Sequence, residues 1–184
     1  QLSQRPTASI PAACGGHEET TAAYRFFDND KVTFDDVLQP HIDATEARIA
    51  SQPVALLTQD TSEIDLTRPL QQMVGAGPLD HGSRRGLLLH VLHAFTPDGT
   101  PLGTVSATPL IRSDDEPTNA GKTRAERQQE PIEEKESYRW VQTLRRAQDV
   151  ARQHPTVKFI TLADSEADIY EYLAEAVTGS ANAH

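Results

Sequence analysis

The sequence predicts an α/β or mixed α+β domain behind a helical N-terminal segment, on three observations. Helical spacing of apolar residues dominates up to residue 50. Short apolar runs of strand length follow at 54–59, 86–95, 102–111 and 157–162. One helical stripe at 138–153 separates the third run from the fourth, an order that suits a sheet covered by helices. Leu, Ile, Val and Phe supply only 39 of 184 residues, so the core must be concentrated in these segments.

Each element has its own local signal. Residues 1–16, ending Pro11-Ala12-Ala13-Cys14-Gly15-Gly16, are small, polar and turn-rich and read as irregular. Residues 20–27 put Ala23, Phe26 and Phe27 on one side of a helix. Residues 33–50 space Val37, Leu38, Ile42 and Ile49 at helical intervals, and Thr33 before Asp35 and Asp36 makes an acidic helix start. Pro40 is expected to break that helix or to open a second one. The run at 54–59 is a strand ending at Asp60. The runs at 86–95 and 102–111, joined by the turn Pro97-Asp98-Gly99-Thr100, form a hairpin. Residues 113–137 carry eight acids and four bases with Ile132 as the single large apolar side chain, and read as a solvated connection. Trp140, Leu144, Ala147 and Ala151 mark the stripe of the next helix, with Pro155 just past its end. Residues 157–162 form a buried strand. Asp164-Ser165-Glu166-Ala167-Asp168 then opens a helix carrying Ile169, Tyr172, Leu173 and Val177, with Ser165 and Asp168 as a capping box.

Composition narrows the function. No apolar run approaches the roughly 18 residues needed for a membrane-spanning helix. Cys14 is the only cysteine, which excludes a disulfide scaffold and zinc sites built on Cys pairs. No nucleotide-binding Gly-rich loop is present, which disfavours an ATPase or kinase. The N-terminal Gln1-Leu2-Ser3 lacks a Met, a basic region and an apolar stretch, predicting no signal peptide and a natural start upstream. The net charge of −10 weighs against DNA binding through a general basic face, yet an enzyme that binds divalent metals concentrates carboxylates. Charge alone leaves both readings open.

Two acids occupy equivalent places. Asp60 follows the strand at 54–59 and Asp164 follows the strand at 157–162. In α/β sheets ligands bind beyond the carboxyl ends of strands, and two carboxylates converging there suit Mg²⁺, which takes one or two protein carboxylates plus water and phosphate oxygens. The plainer readings are a turn residue for Asp60 and a helix-start residue for Asp164. Position alone does not separate them.

The wording around these acids does. Ala23-Tyr24-Arg25-Phe26-Phe27, Gln59-Asp60-Thr61-Ser62, Glu134-Lys135-Glu136-Ser137-Tyr138-Arg139-Trp140 and Asp164-Ser165-Glu166-Ala167-Asp168-Ile169-Tyr170 occur in this order. They resemble the corresponding segments of the bacterial cut-and-paste DDE transposases of insertion sequences, in the branch with a Y-R-E-K box exemplified by the composite kanamycin-resistance transposon. The similarity runs from about residue 18 to residue 173.

The resemblance implies a ribonuclease H-like mixed sheet flanked by helices, preceded by a small helical N-terminal segment. It implies that Asp60 and Asp164 are the first and second catalytic acids and ligands of two Mg²⁺ or Mn²⁺ ions. It further implies nicking of transposon ends, hairpin formation and resolution, and strand transfer into double-stranded target DNA, each by in-line displacement at phosphorus. Thr61 and Ser62 would lie near DNA, and Arg25 matches an arginine that approaches the transposon-end backbone. A homodimer in the bacterial cytoplasm, at the nucleoid, is the implied setting, with no nucleotide cofactor.

The family's third acid, a Glu within the Y-R-E-K pattern, has no counterpart in this sequence, and the basic end-recognition helices and dimerisation helices have none either. The expectation is therefore a truncated transposase: 1–50 as the end of a DNA-binding region, 51–178 as a partial catalytic domain, 179–184 as a tail. Such a fragment keeps two of three acids and is expected to be inactive. The alternative is a non-catalytic remnant that binds DNA or a protein partner. A small metal-dependent phosphohydrolase using Glu166 or Asp168 is disfavoured, because residues two apart do not share a helix face. His90 and His93, three apart on a strand, face opposite sides and make a poor ligand pair. Trp140 with Leu144 reads as core, and Arg84-Arg85 and Arg145-Arg146 read as solvated pairs.

Overall fold

The structure, a computed structural model, describes residues 2–68, 70–71, 73–80, 82–114, 123, 126 and 129–179. Much of the connection at 113–137 therefore lies outside the described residues, as does the tail beyond Gly179. The chain forms two compact units, Gln1–His41 and Ile42–His184.

In the first unit, the stretch expected to be irregular carries one helical turn, α1 (Ile10–Ala13), in which Pro11 supplies a helix-compatible φ near the start. Helix α2 (His17–Phe27) follows, with Glu18 and Glu19 in its first turn and Arg25 in its last, both favourable to the helix dipole. None of its residues is buried within the unit, and Tyr24, Phe26 and Phe27 are exposed.

Helix α3 (Phe34–Ile49) is continuous, which corrects the expectation of a break at Pro40. A reciprocal cap starts it: the Thr33 N–H donates to Asp36 Oδ2 at 2.9 Å, and the Asp36 N–H donates to Thr33 Oγ1 at 3.1 Å. Pro40 removes one backbone donor early in the helix. Burial of Ile42, Thr45 and Ile49, at helical spacing, anchors the turns beyond it.

The second unit is built on a five-stranded mixed sheet: β1 (Val54–Asp65), β2 (Gly77–Pro78), β3 (Arg85–Phe95), β4 (Pro101–Leu110) and β5 (Lys158–Leu162). Antiparallel β3 pairs with β1 along one edge and with β4 and β2 along the other, while β5 runs parallel to β1. The expected hairpin is β3–β4. Strand β1, however, runs six residues past Gln59, paired with β3 from Leu56↔Phe95 out to Asp65↔Gly86, so Asp60 is a mid-strand residue rather than one following the strand. Only its pairing with β5 stops early, at Thr58↔Leu162.

Helix α4 (Tyr138–Gln153) crosses from the hairpin side to β5 with the predicted bounds. After β5 comes a single 3-10 turn (Ser165–Ala167), then α5 (Tyr170–Thr178). The helix expected to open at Asp164 thus starts six residues later, and the cap is Asp164, whose side chain accepts from the Glu166 N–H, rather than a Ser165–Asp168 box. Mixed sheet, crossover helix and parallel β5 are consistent with the ribonuclease H-like fold.

One face of the sheet holds the core. Ala55 and Leu57, Leu92 and Ala94, Leu102 and Val105, and Phe159 meet Ile49 of α3 and Ala147, Val150 and Ala151 of α4. Strict alternation along β3 assigns its even residues to that face. A second cluster joins Trp140, Val141 and Leu144 to Ala167 and Tyr172, with Ile132, Tyr138 and Ile169 packed around it. Trp140 and Leu144 are therefore core, as their spacing predicts.

Arg48 ties α3 to β4: its Nε donates to the Leu102 carbonyl at 2.5 Å and its NH2 to Thr45 Oγ1 at 3.0 Å. Arg48→Ala is expected to lower the unfolding free energy by about 1–2 kcal/mol, read as a lower urea midpoint at constant slope.

Candidate active site

The parallel β1–β5 ladder ends two residues before each of the two sequence-predicted acids. Val54 pairs with Lys158 and Thr58 with Leu162, after which Asp60 continues within β1 while Asp164 lies beyond the end of β5. Both acids also act electrostatically on the same buried imidazole, His90.

Each carboxylate is oriented by a backbone donor. Asp60 Oδ1 accepts from the Thr61 N–H at 2.8 Å, and Asp164 Oδ1 accepts from the Glu166 N–H at 2.8 Å. Both side chains are exposed. Two exposed carboxylates with one oxygen each held in place are a donor set that fits a hard, largely hydrated divalent cation. Among the described residues, no group of three or more His, Cys, Asp or Glu is arranged to hold a metal, so water and substrate oxygens would have to complete the coordination.

Behind the acids, on the helix-covered face, lies a polar network that sequence reasoning missed. Thr61 Oγ1 is 2.8 Å from His90 Nδ1 and accepts from Arg139 Nε at 3.0 Å. The Arg139 NH2 reaches Glu166 Oε2 at 3.0 Å, and its NH1 donates to the Glu136 carbonyl at 2.9 Å. His90 is 1% exposed, with its ring edge-on to Trp140 at 4.6 Å between centroids. Burial, reinforced by the Arg139 cation and opposed by Asp60 and Asp164, lowers its pKa to about 4, so it is neutral at pH 7. Nearby, Gln59 Nε2 donates to the Tyr172 hydroxyl at 2.8 Å, linking β1 to α5. Burial raises the pKa of that tyrosine. These partners stand up to 113 residues apart in sequence, so no local pattern announces them.

The remaining predicted residues are placed as follows. Ser62 is exposed on β1, two residues along the strand from Asp60. The Thr61 side chain is held by His90 and Arg139. Arg25 is exposed in the last turn of α2, in the first unit. The solvated arginine pairs are all engaged by acids: Arg84 by Glu63, Asp65 and Asp80, Arg85 by Asp114, Arg145 by Glu175, and Arg146 by Glu46.

Residues 1–32 match the model of a transposase DNA-binding family. The match supports a transposase in general, with DNA as a partner. The matched segment holds three bases against four acids, so DNA contact there would depend on individual residues rather than on a basic face. No curated protein matches the chain. Among the described residues, no helix is long and apolar enough to cross a membrane.

Proposed function

We propose that the chain is part of a DDE-type DNA transposase of the insertion-sequence, Y-R-E-K kind, in which Asp60 and Asp164 hold divalent metal at the site of phosphodiester chemistry. The observation that supports this reading is that both acids stand two residues past the last β1–β5 pair and act on the same His90 ring, beside a transposase DNA-binding match. In this reading residues 1–50 end the DNA-binding region, with Arg25 toward the transposon-end backbone, and 51–178 form the catalytic part. Thr61 and Ser62, next along β1 after Asp60, would lie near DNA, and the partner is double-stranded DNA bound by a homodimer in the bacterial cytoplasm.

Mg²⁺ or Mn²⁺, when bound by Asp60 and Asp164, would supply activation of the attacking oxygen and charge stabilisation at phosphorus. The protein's own contribution would be to hold each carboxylate by a backbone N–H, Asp60 within β1 and Asp164 in the turn after β5. A third ligand of the DDE pattern has no counterpart in this sequence. A second reading, favoured by the DNA-binding match at residues 1–32, is a non-catalytic module that binds DNA or a partner.

Calorimetric titration of the chain with Mn²⁺ tests the reading. Saturable binding that is lost in both Asp60→Ala and Asp164→Ala, with the circular dichroism of each variant unchanged, is the expected result. Binding that is absent from the parent, or that survives both substitutions, contradicts the metal-site reading and leaves the non-catalytic one.

A further inference from the structure

We infer that Arg139 is a positioning residue that sets the spacing of the two acids, a role that rests on the metal-site reading above. Its guanidinium is gripped on two edges. Nε donates to Thr61 Oγ1 at 3.0 Å and NH2 donates to Glu166 Oε2 at 3.0 Å. These are the two residues whose backbone N–H groups hold the carboxylates, Thr61 for Asp60 and Glu166 for Asp164. One planar fork therefore joins the segment that orients the first acid to the segment that orients the second, although Thr61 and Glu166 belong to β1 and to the 3-10 turn after β5.

The fork is itself fixed. Its side chain is 12% exposed, NH1 is anchored on the Glu136 carbonyl at 2.9 Å, and the guanidinium carbon lies 5.9 Å from the Trp140 ring centroid. The parallel ladder between β1 and β5 stops at Thr58↔Leu162, short of both acids. Beyond that point Arg139 bridges the two segments in place of backbone hydrogen bonds. Arginine suits this task because its five donors keep a fixed planar geometry, which the single ammonium of lysine cannot reproduce.

The test is the Mn²⁺ affinity of the full chain by calorimetry, beside its thermal midpoint, for Arg139→Gln, Arg139→Lys and the control Arg145→Gln. Electrostatics alone would have the opposite sign: removing a cation beside a metal site tightens Mn²⁺ binding. Positioning predicts that Arg139→Gln weakens Mn²⁺ binding by about 10–100-fold, the usual effect of losing a group that orients a metal ligand. Arg139→Lys, which keeps the charge and the stem, is expected to weaken it as well, and it serves where the Gln variant does not fold. Arg145→Gln, on the same helix as Arg139, breaks the ion pair with Glu175 of α5 and is expected to leave affinity unchanged.

Tighter or unchanged Mn²⁺ binding in Arg139→Gln, or full affinity in Arg139→Lys, overturns the inference even if the thermal midpoint falls. A parent chain without Mn²⁺ binding overturns the metal-site reading and this role with it, a failure visible before any Arg139 variant is measured.

Discussion

Replacing Trp140 with alanine is expected to lower the unfolding free energy of the chain by about 3–5 kcal/mol. Trp140 is fully buried and joins α4 to the cluster of Leu144, Ala167 and Tyr172. It also covers the ring of His90 edge-on, so truncation removes apolar packing and opens a buried imidazole at the same time. Against an ordinary domain stability of about 5–15 kcal/mol the loss is large, and the variant should unfold near ambient temperature. Trp140→Phe keeps most of the volume and should cost less than half as much. Trp140 is the only tryptophan, so circular dichroism in urea is the measurement common to parent and variants. Equal midpoints for parent and Trp140→Ala would mean that the second cluster does not hold α4 to the sheet.

The second large effect is acid sensitivity. His90 has an ordinary pKa of 6.5 and a folded value of about 4, depressed by burial first, then by the Arg139 cation, with Asp60 and Asp164 opposing. The unfolded chain binds the proton more readily than the folded one. Stability from this group is therefore complete above pH 6.5 and is lost as pH falls from 6.5 toward 4. The loss amounts to about 3 kcal/mol when both states are protonated. Asp65, Asp114 and Glu175, held below the usual carboxylate range by hydrogen bonds from Thr67, Arg85 and Arg145 respectively, lose their contribution at lower pH still. The two ranges separate the causes. Urea midpoints recorded from pH 7 to 4 should fall steadily in the parent, whereas His90→Leu should be flat over the upper part of that range. A parent whose midpoint holds constant down to pH 4.5 would contradict a neutral, buried His90.

Much of this fold is legible in local sequence. An apolar run of strand length identifies β3, turn chemistry at Pro97-Asp98-Gly99-Thr100 identifies the hairpin, and the Trp140 stripe gives α4 with its observed bounds. The second half of β1 is not legible. Ser62, Glu63 and Asp65 have neither hydrophobicity nor strand preference, and they are extended because β3 pairs with them. Gly86 belongs to that same contact: a Cβ there would lie 2.0 Å from the Ile64 carbonyl oxygen, so the two strands approach closely only with glycine at this position. Strand β2, two residues long, exists only as a partner of Arg85 and Gly86.

The candidate site divides in the same way. Asp60 and Asp164 stand out because each lies just past an apolar run, while the parallel pairing of β1 with β5 that precedes both is not given by sequence spacing alone. Arg139 sits inside a recognised segment, yet its bond to Thr61 spans 78 residues and its bond to Glu166 spans 27. His90 reads as an unremarkable strand residue until Trp140 and Thr61 close around it. Helix starts show the same limit. Asp164 and Ser165 are both good caps, and the turn geometry that selects Asp164 also delays α5 to Tyr170.

The most direct test of the central claim is anomalous diffraction at the manganese edge from crystals of the full chain grown with Mn²⁺. Asp60 and Asp164 as shared ligands predict anomalous density within coordination distance of both carboxylates, lost in crystals of Asp164→Ala. Manganese found only elsewhere, or density at one carboxylate with the other turned away, would contradict a shared metal site and with it the catalytic reading of this fold.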